Sequence, residues 1–119
     1  MKKRHSKRIL GRRKGPRKAL FKSLISALLK EGTIVTTEAK AKEMRLYCEP
    51  LITKAKLGDA LANRRALLSK LGAKIDVVRM LAVGKSNAKR PGGYLRLTRL
   101  PGRRGDNSVM MRVDIIDRA

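Results

Sequence analysis

Lys2, Lys3, Arg4, Lys7, Arg8, Arg12, Arg13, Lys14, Arg17 and Lys18 crowd the start of the chain, with His5 among them and no acid nearby. A second acid-free stretch holds Lys85, Lys89, Arg90, Arg96, Arg99, Arg103 and Arg104. Groups of this type and density neutralise phosphates. Each phosphate contact releases condensed counterions, so the binding it drives is strong at low salt and weak at high salt. The whole chain has 31 Lys and Arg against nine acids, a formal net charge of +22 over 119 residues. Solubility asks for far less, so the composition requires a polyanionic partner, and nucleic acid fits best.

Other chemistries find little to work with. Catalysis needs a nucleophile beside a base, a metal cluster or a positioned pair of carboxylates. His5 lies in the basic tail, where a solvated or phosphate-facing role is expected. Cys48 is the only cysteine, which excludes an internal disulfide, suits a reducing cytoplasm, and on an apolar helix face reads as a core thiol. No metal site and no cofactor are expected. The run GKSNAKRPGG matches neither the dinucleotide fingerprint nor the triphosphate loop, and no small-molecule substrate is implied. No apolar run approaches the ~18 residues of a membrane span, and Leu24 to Leu29 followed by Lys30 lacks the features of a cleaved signal.

Around these residues the chain reads as one domain. Residues 1–15 contain few apolar side chains and should form an extended basic tail that is ordered by its partner. A merely solvated tail is the alternative. The core should not depend on it. Residues 16–119 form the folded unit, with a basic loop at 84–93 and a hairpin tip at 101–108.

Pro16 suits a first helical turn, and Leu20, Phe21, Leu24, Ile25, Leu28 and Leu29 keep helical spacing up to Gly32. Thr33 to Thr36 is β-branched and predicts a short strand. Thr37 can cap the next helix, with Glu38 at its positive end. That helix is amphipathic, with Met44, Tyr47, Cys48, Leu51, Ile52 and Ala55 on one side. Pro50 predicts a kink or two abutting helices.

A third helix is expected over Asp59 to Leu71, with Leu61, Leu68 and Leu71 inward and Arg64 and Arg65 outside. Residues 74–83 fit helix or strand by composition. The spacing of Ile75, Val78, Leu81 and Ala82 favours helix, with Gly84 as its stop. Tyr94 to Leu100 and Val109 to Ile116 alternate like paired strands of a hairpin, placing Arg103 and Arg104 at the tip. Gly92 and Gly93 either admit a phosphate to the backbone or simply turn the chain into the hairpin. Tyr94 either stacks on a base or packs across strands. With Phe21 and Tyr47 on apolar faces, recognition should rest on RNA shape and phosphates.

The segments RHSKRILGR, PRKALFKSL, TIVTTEAKAKEMR, EPLITKAK, NRRALL, RPGGYLRL and RRGDNSVMMRVDI occur in this order. Together they resemble the bacterial large-subunit ribosomal protein seventeen family over nearly the whole chain. The resemblance implies an α+β fold: N-terminal helix, short strand, three further helices and a C-terminal hairpin, the three strands forming one small sheet packed on helices. It implies a structural protein bound to large-subunit ribosomal RNA, with neighbouring ribosomal proteins, near the exit side of the subunit. It also implies RNA contacts by Arg4, His5, Lys7 and Arg8, and by Arg90, Gly92, Gly93, Tyr94 and Arg96. Pro16-Arg17 departs from the usual His-Arg pair, and an extra basic residue precedes Arg4. The alternatives are a nucleoid-type DNA-binding protein and a cationic membrane-surface protein.

Overall fold

The computed structural model describes residues 8–116; Lys2, Lys3, Arg4, His5 and Lys7 lie outside them. Their elements run α1 (Lys14–Glu31), β1 (Thr33–Thr37), α2 (Glu38–Ala55), α3 (Leu61–Leu71), α4 (Lys74–Ser86), β2 (Leu95–Leu100) and β3 (Met110–Ile115). The α+β class and the order of elements are those expected.

α1 begins at Lys14, so Lys14 and Gly15 belong to the helix rather than to the basic tail. Phe21, Ile25, Leu28 and Leu29 form its buried stripe. Gly32 then adopts φ 82° and bonds its N–H back to the Leu28 carbonyl, a left-handed cap that suits glycine. The chain enters β1 at the next residue. Thr37 occupies the cap position of α2, but its side chain makes no capping hydrogen bond. α2 runs on as one helix through Pro50; there is no break into two helices.

The sheet order is β1-β3-β2, all antiparallel. The C-terminal strand is therefore the central one. Ile34, Val113 and Leu97 lie opposite one another across the three strands and face the helices. Val113 is fully buried, while Val35 on the other face is 55% exposed. Alternation along each strand thus covers one face and opens the other.

The helices supply the rest of the core through Met44, Cys48, Ile52, Leu67, Val77 and Met80. Two inward faces differ from expectation. In α3 Leu71 is buried as expected, but its buried companion is Leu67, while Leu61 is 63% and Leu68 37% exposed. In α4 they are Val77, Met80 and Val83, while Ile75 and Val78 are more than half exposed and Leu81 only packs at the margin. Both helices carry apolar side chains on more than one face, so spacing alone does not select the inner one. Gly84 does not end α4; it is buried inside it. A Cβ there would lie 2.8 Å from the Ala55 backbone and side chain, so this glycine lets α4 approach α2 closely.

Candidate nucleic-acid interface

At the start of α1 the backbone itself organises the cations. Leu10 and Gly11 both adopt left-handed conformations, φ 57° and 66°, folding the chain back so that Arg12 N–H reaches the Ile9 carbonyl. The Arg12 guanidinium donates to the Leu10 carbonyl at 2.7 Å, and that of Arg17 to the Arg12 carbonyl at 3.2 Å. Arg13, Lys14 and Lys18 are exposed and form no salt bridge among the described residues. No acid occupies the first turn of α1, leaving the positive end of its dipole to add to the field of these cations. Leu10 packs against the core. Arg8 pairs at 3.4 Å with Glu43, a carboxylate with no solvent exposure. The core, expected to be independent of this segment, instead engages it from Arg8 onward.

The second basic segment is attached further along α2, toward its C-terminal end. Lys56 Nζ donates to the Arg90 carbonyl at 2.5 Å and to the Tyr94 hydroxyl at 3.1 Å. Thr53 shares a hydrogen bond of 3.2 Å with the same hydroxyl, and Leu95 N–H donates to Glu49 at 3.2 Å. The bonds from Thr53 and Lys56 hold the Tyr94 phenol below its ordinary pKa. Tyr94 is 1% exposed, so its ring offers no face to a base. The stacking role is excluded, and its service is to fasten the loop. Gly93 is left-handed at φ 60°, and nothing lies within 4 Å of a Cβ built at Gly92 or Gly93. The backbone there is open to close approach. Lys85, Lys89 and Arg96 are exposed around it.

Not every cation expected at the interface is free to serve it. Arg99 is held by Glu38 at 2.7 Å. Arg103 pairs with Asp106 at 2.6 Å across the hairpin tip, which holds the Asp106 carboxyl well below the usual range. Arg64 grips Asp59 with two nitrogens and lowers that carboxyl in turn. Arg65 and Arg104 are exposed, with no salt bridge among the described residues. One side chain not singled out in advance also joins: Arg45, which lines a groove on α2 together with Gly92. An outward basic helical face was the available signal for Arg45. Glu43 gave none, because its partner is 35 residues away in sequence.

The two main arrays share α2 as their scaffold. From Glu43 to Thr53 is ten residues, about 15 Å along the axis and, at ~100° per residue, only ~80° apart around it, so the two arrays are separated along α2 rather than across it. Cys48 lies between them, fully buried, its thiol pushed up to about 12 by burial. That is the inert core thiol expected. Among the described residues no group of His, Cys, Asp and Glu could hold a metal ion, and no helix is long and apolar enough to cross a membrane.

The chain matches the family described as Ribosomal protein L17 over residues 20–116. It is similar to the Large ribosomal subunit protein bL17 of Carboxydothermus hydrogenoformans, with 46% identity over 109 residues that cover 90% of this chain and 96% of that protein. A match running from α1 past β3, with identity at this level, leaves one conclusion: the chain belongs to the ribosomal protein L17 family.

Proposed function

We propose that this chain is a structural constituent of the large ribosomal subunit that binds the subunit's ribosomal RNA through the two basic arrays fastened along α2. Family membership makes it a structural protein rather than an enzyme. The observation that carries the RNA reading is the state of its cations. Arg13, Lys14, Lys18, Lys85, Lys89 and Arg96 are exposed and pair with no acid among the described residues, and they sit beside an open glycine backbone and an uncompensated helix start. Without an exposed aromatic platform among the described residues, such a surface recognises phosphate spacing and RNA shape. Residues 1–7 would extend the first array, and Arg65, Arg104 and Arg45 would add peripheral contacts. Neighbouring ribosomal proteins and a position near the exit side of the subunit, both implied by the family resemblance, belong to the same proposal.

Salt titration of binding to large-subunit ribosomal RNA tests it. Affinity should fall with a log–log slope of ~0.7–0.9 per phosphate contacted, so an interface of several contacts gives a steep line. A flat line, or equal binding to duplex DNA or anionic vesicles at physiological salt, would refute it.

A further inference from the structure

Glu43 is a costly residue to keep where it is. Its side chain has no solvent exposure, Arg8 reaches only Oε1, at 3.4 Å, and Oε2 has no hydrogen-bond partner among the described residues. The other buried acid, Asp76, is better supplied, with Ser26 at 3.2 Å and Arg79 at 3.6 Å. A buried ion pair rarely stabilises more than apolar side chains of the same volume would. Stability therefore does not account for Glu43, and its effect on Arg8 is the remaining candidate.

That effect is orientation. A guanidinium carries five N–H donors in a rigid plane. Glu43 engages one nitrogen, Nη1, while 46% of the Arg8 side chain remains exposed. The other guanidinium nitrogens make no hydrogen bond among the described residues and stay available, in the same basic segment as exposed Arg13 and Lys14. Arg12 and Arg17 differ, since each donates to a backbone carbonyl of the same segment. Lys14 and Lys18 are held by no anion among the described residues and must be ordered when they bind. Of the described cations in this array, Arg8 alone is fixed before binding by a carboxylate that cannot itself move into solvent.

We propose that Glu43 is a positioning residue for RNA binding, holding Nη1 of the Arg8 guanidinium so that its other nitrogens are presented to a ribosomal RNA phosphate. The proposal rests on the reading that this surface meets RNA. Fork geometry makes arginine, not lysine, the residue able to bridge a carboxylate and a phosphate at once. The second carboxylate oxygen, Oε2, lets Arg8 close from one contact to two as the phosphate seats.

The test compares Glu43→Gln, Arg8→Lys and the double variant, full-length and checked by thermal melting, in binding to protein-free large-subunit ribosomal RNA. Glutamine keeps the shape and an acceptor but not the charge; lysine keeps a cation beside the carboxylate, and so the fold, but not the fork. Each single change should weaken binding by about twofold to tenfold, the factor that ordering one long side chain is worth. The double variant should lose no more than either single one. The salt slope of Glu43→Gln should match that of the unaltered chain, because the same phosphates are contacted with Arg8 less well held. Wild-type affinity in Glu43→Gln, or losses that multiply in the double variant, would overturn the positioning role alone. Failure of the unaltered chain to bind RNA would overturn the RNA reading together with it.

Discussion

The two basic arrays carry similar chemistry outward and are fastened inward by different means. The loop before β2 is tied to α2 through an ammonium on a carbonyl, a shared hydroxyl pair and a backbone N–H on a carboxylate, from Lys56, Thr53, Tyr94, Glu49 and Leu95. The segment before α1 is tied by the packing of Leu10 and one ion pair to a buried carboxylate. Several bonds of ordinary strength tolerate the loss of any one. A single pair with a buried charge does not, because removing the exposed partner strands the other in the core.

This difference in fastening makes Arg8→Ala the most damaging single change. It should cost up to about 3 kcal/mol, the low end for a broken buried pair since nearly half of Arg8 faces solvent. Urea melts would measure it, and adding Glu43→Leu should restore most of the loss. An unchanged melt in Arg8→Ala would mean that the ion pair does not hold the first segment.

Gly84→Ala tests the support of the second array, since α4 leads into the loop. Overpacking against Ala55 should cost about 1–3 kcal/mol, less up to ~1 kcal/mol recovered in helix propensity. An unchanged melt would show that the helices can separate freely.

Lys56→Met should cost about 1–2 kcal/mol by removing two hydrogen bonds from a charged donor, with faster amide exchange at residues 88–93 and none gained around Arg8. Equal loosening of both segments would erase the distinction between them.

The smallest effect is spectroscopic. Tyr94 should titrate below the ordinary tyrosine value, and Thr53→Ala should raise its midpoint. Because its folded value is the lower one, the stability it contributes is present above the ordinary value and lost as pH falls through the folded value. Absorbance titration with Tyr94→Phe as the reference checks both sign and assignment. At the hairpin tip, by contrast, Arg103 and Asp106 are both exposed, and breaking their pair should leave the melt unchanged.

Much of the fold was legible because its signals are local. The stripe from Phe21 to Leu29, the β-branched run at Thr33 and the alternation of Met111, Val113 and Ile115 each follow from one element's own periodicity. The inner faces of α3 and α4 were not legible. Leu71 is inward as expected, but Leu61 and Leu68 compete with Leu67, and Ile75 and Val78 with Val77 and Met80, and burying one Leu or Met is worth about 1.5–3 kcal/mol on either face. Of the candidate site, the exposed cations could be read directly, whereas the occupation of Arg99 by Glu38 and of Arg103 by Asp106 could not.

The net charge, its concentration in two acid-free stretches, the lack of a second cysteine and the order of helices and strands are all written in the order of the residues. They are properties of composition and of neighbours in the chain. Only packing made Tyr94 a fastener rather than a stacking platform, made Gly84 a point of close approach rather than a stop, and set Glu43 beneath Arg8. Each depends on a partner far away in sequence: Lys56, Ala55 and Arg8 meet these residues only once α2 has packed against the loop, α4 and the segment before α1. Burial is set by what the rest of the chain places on top of a residue, and no local pattern encodes that.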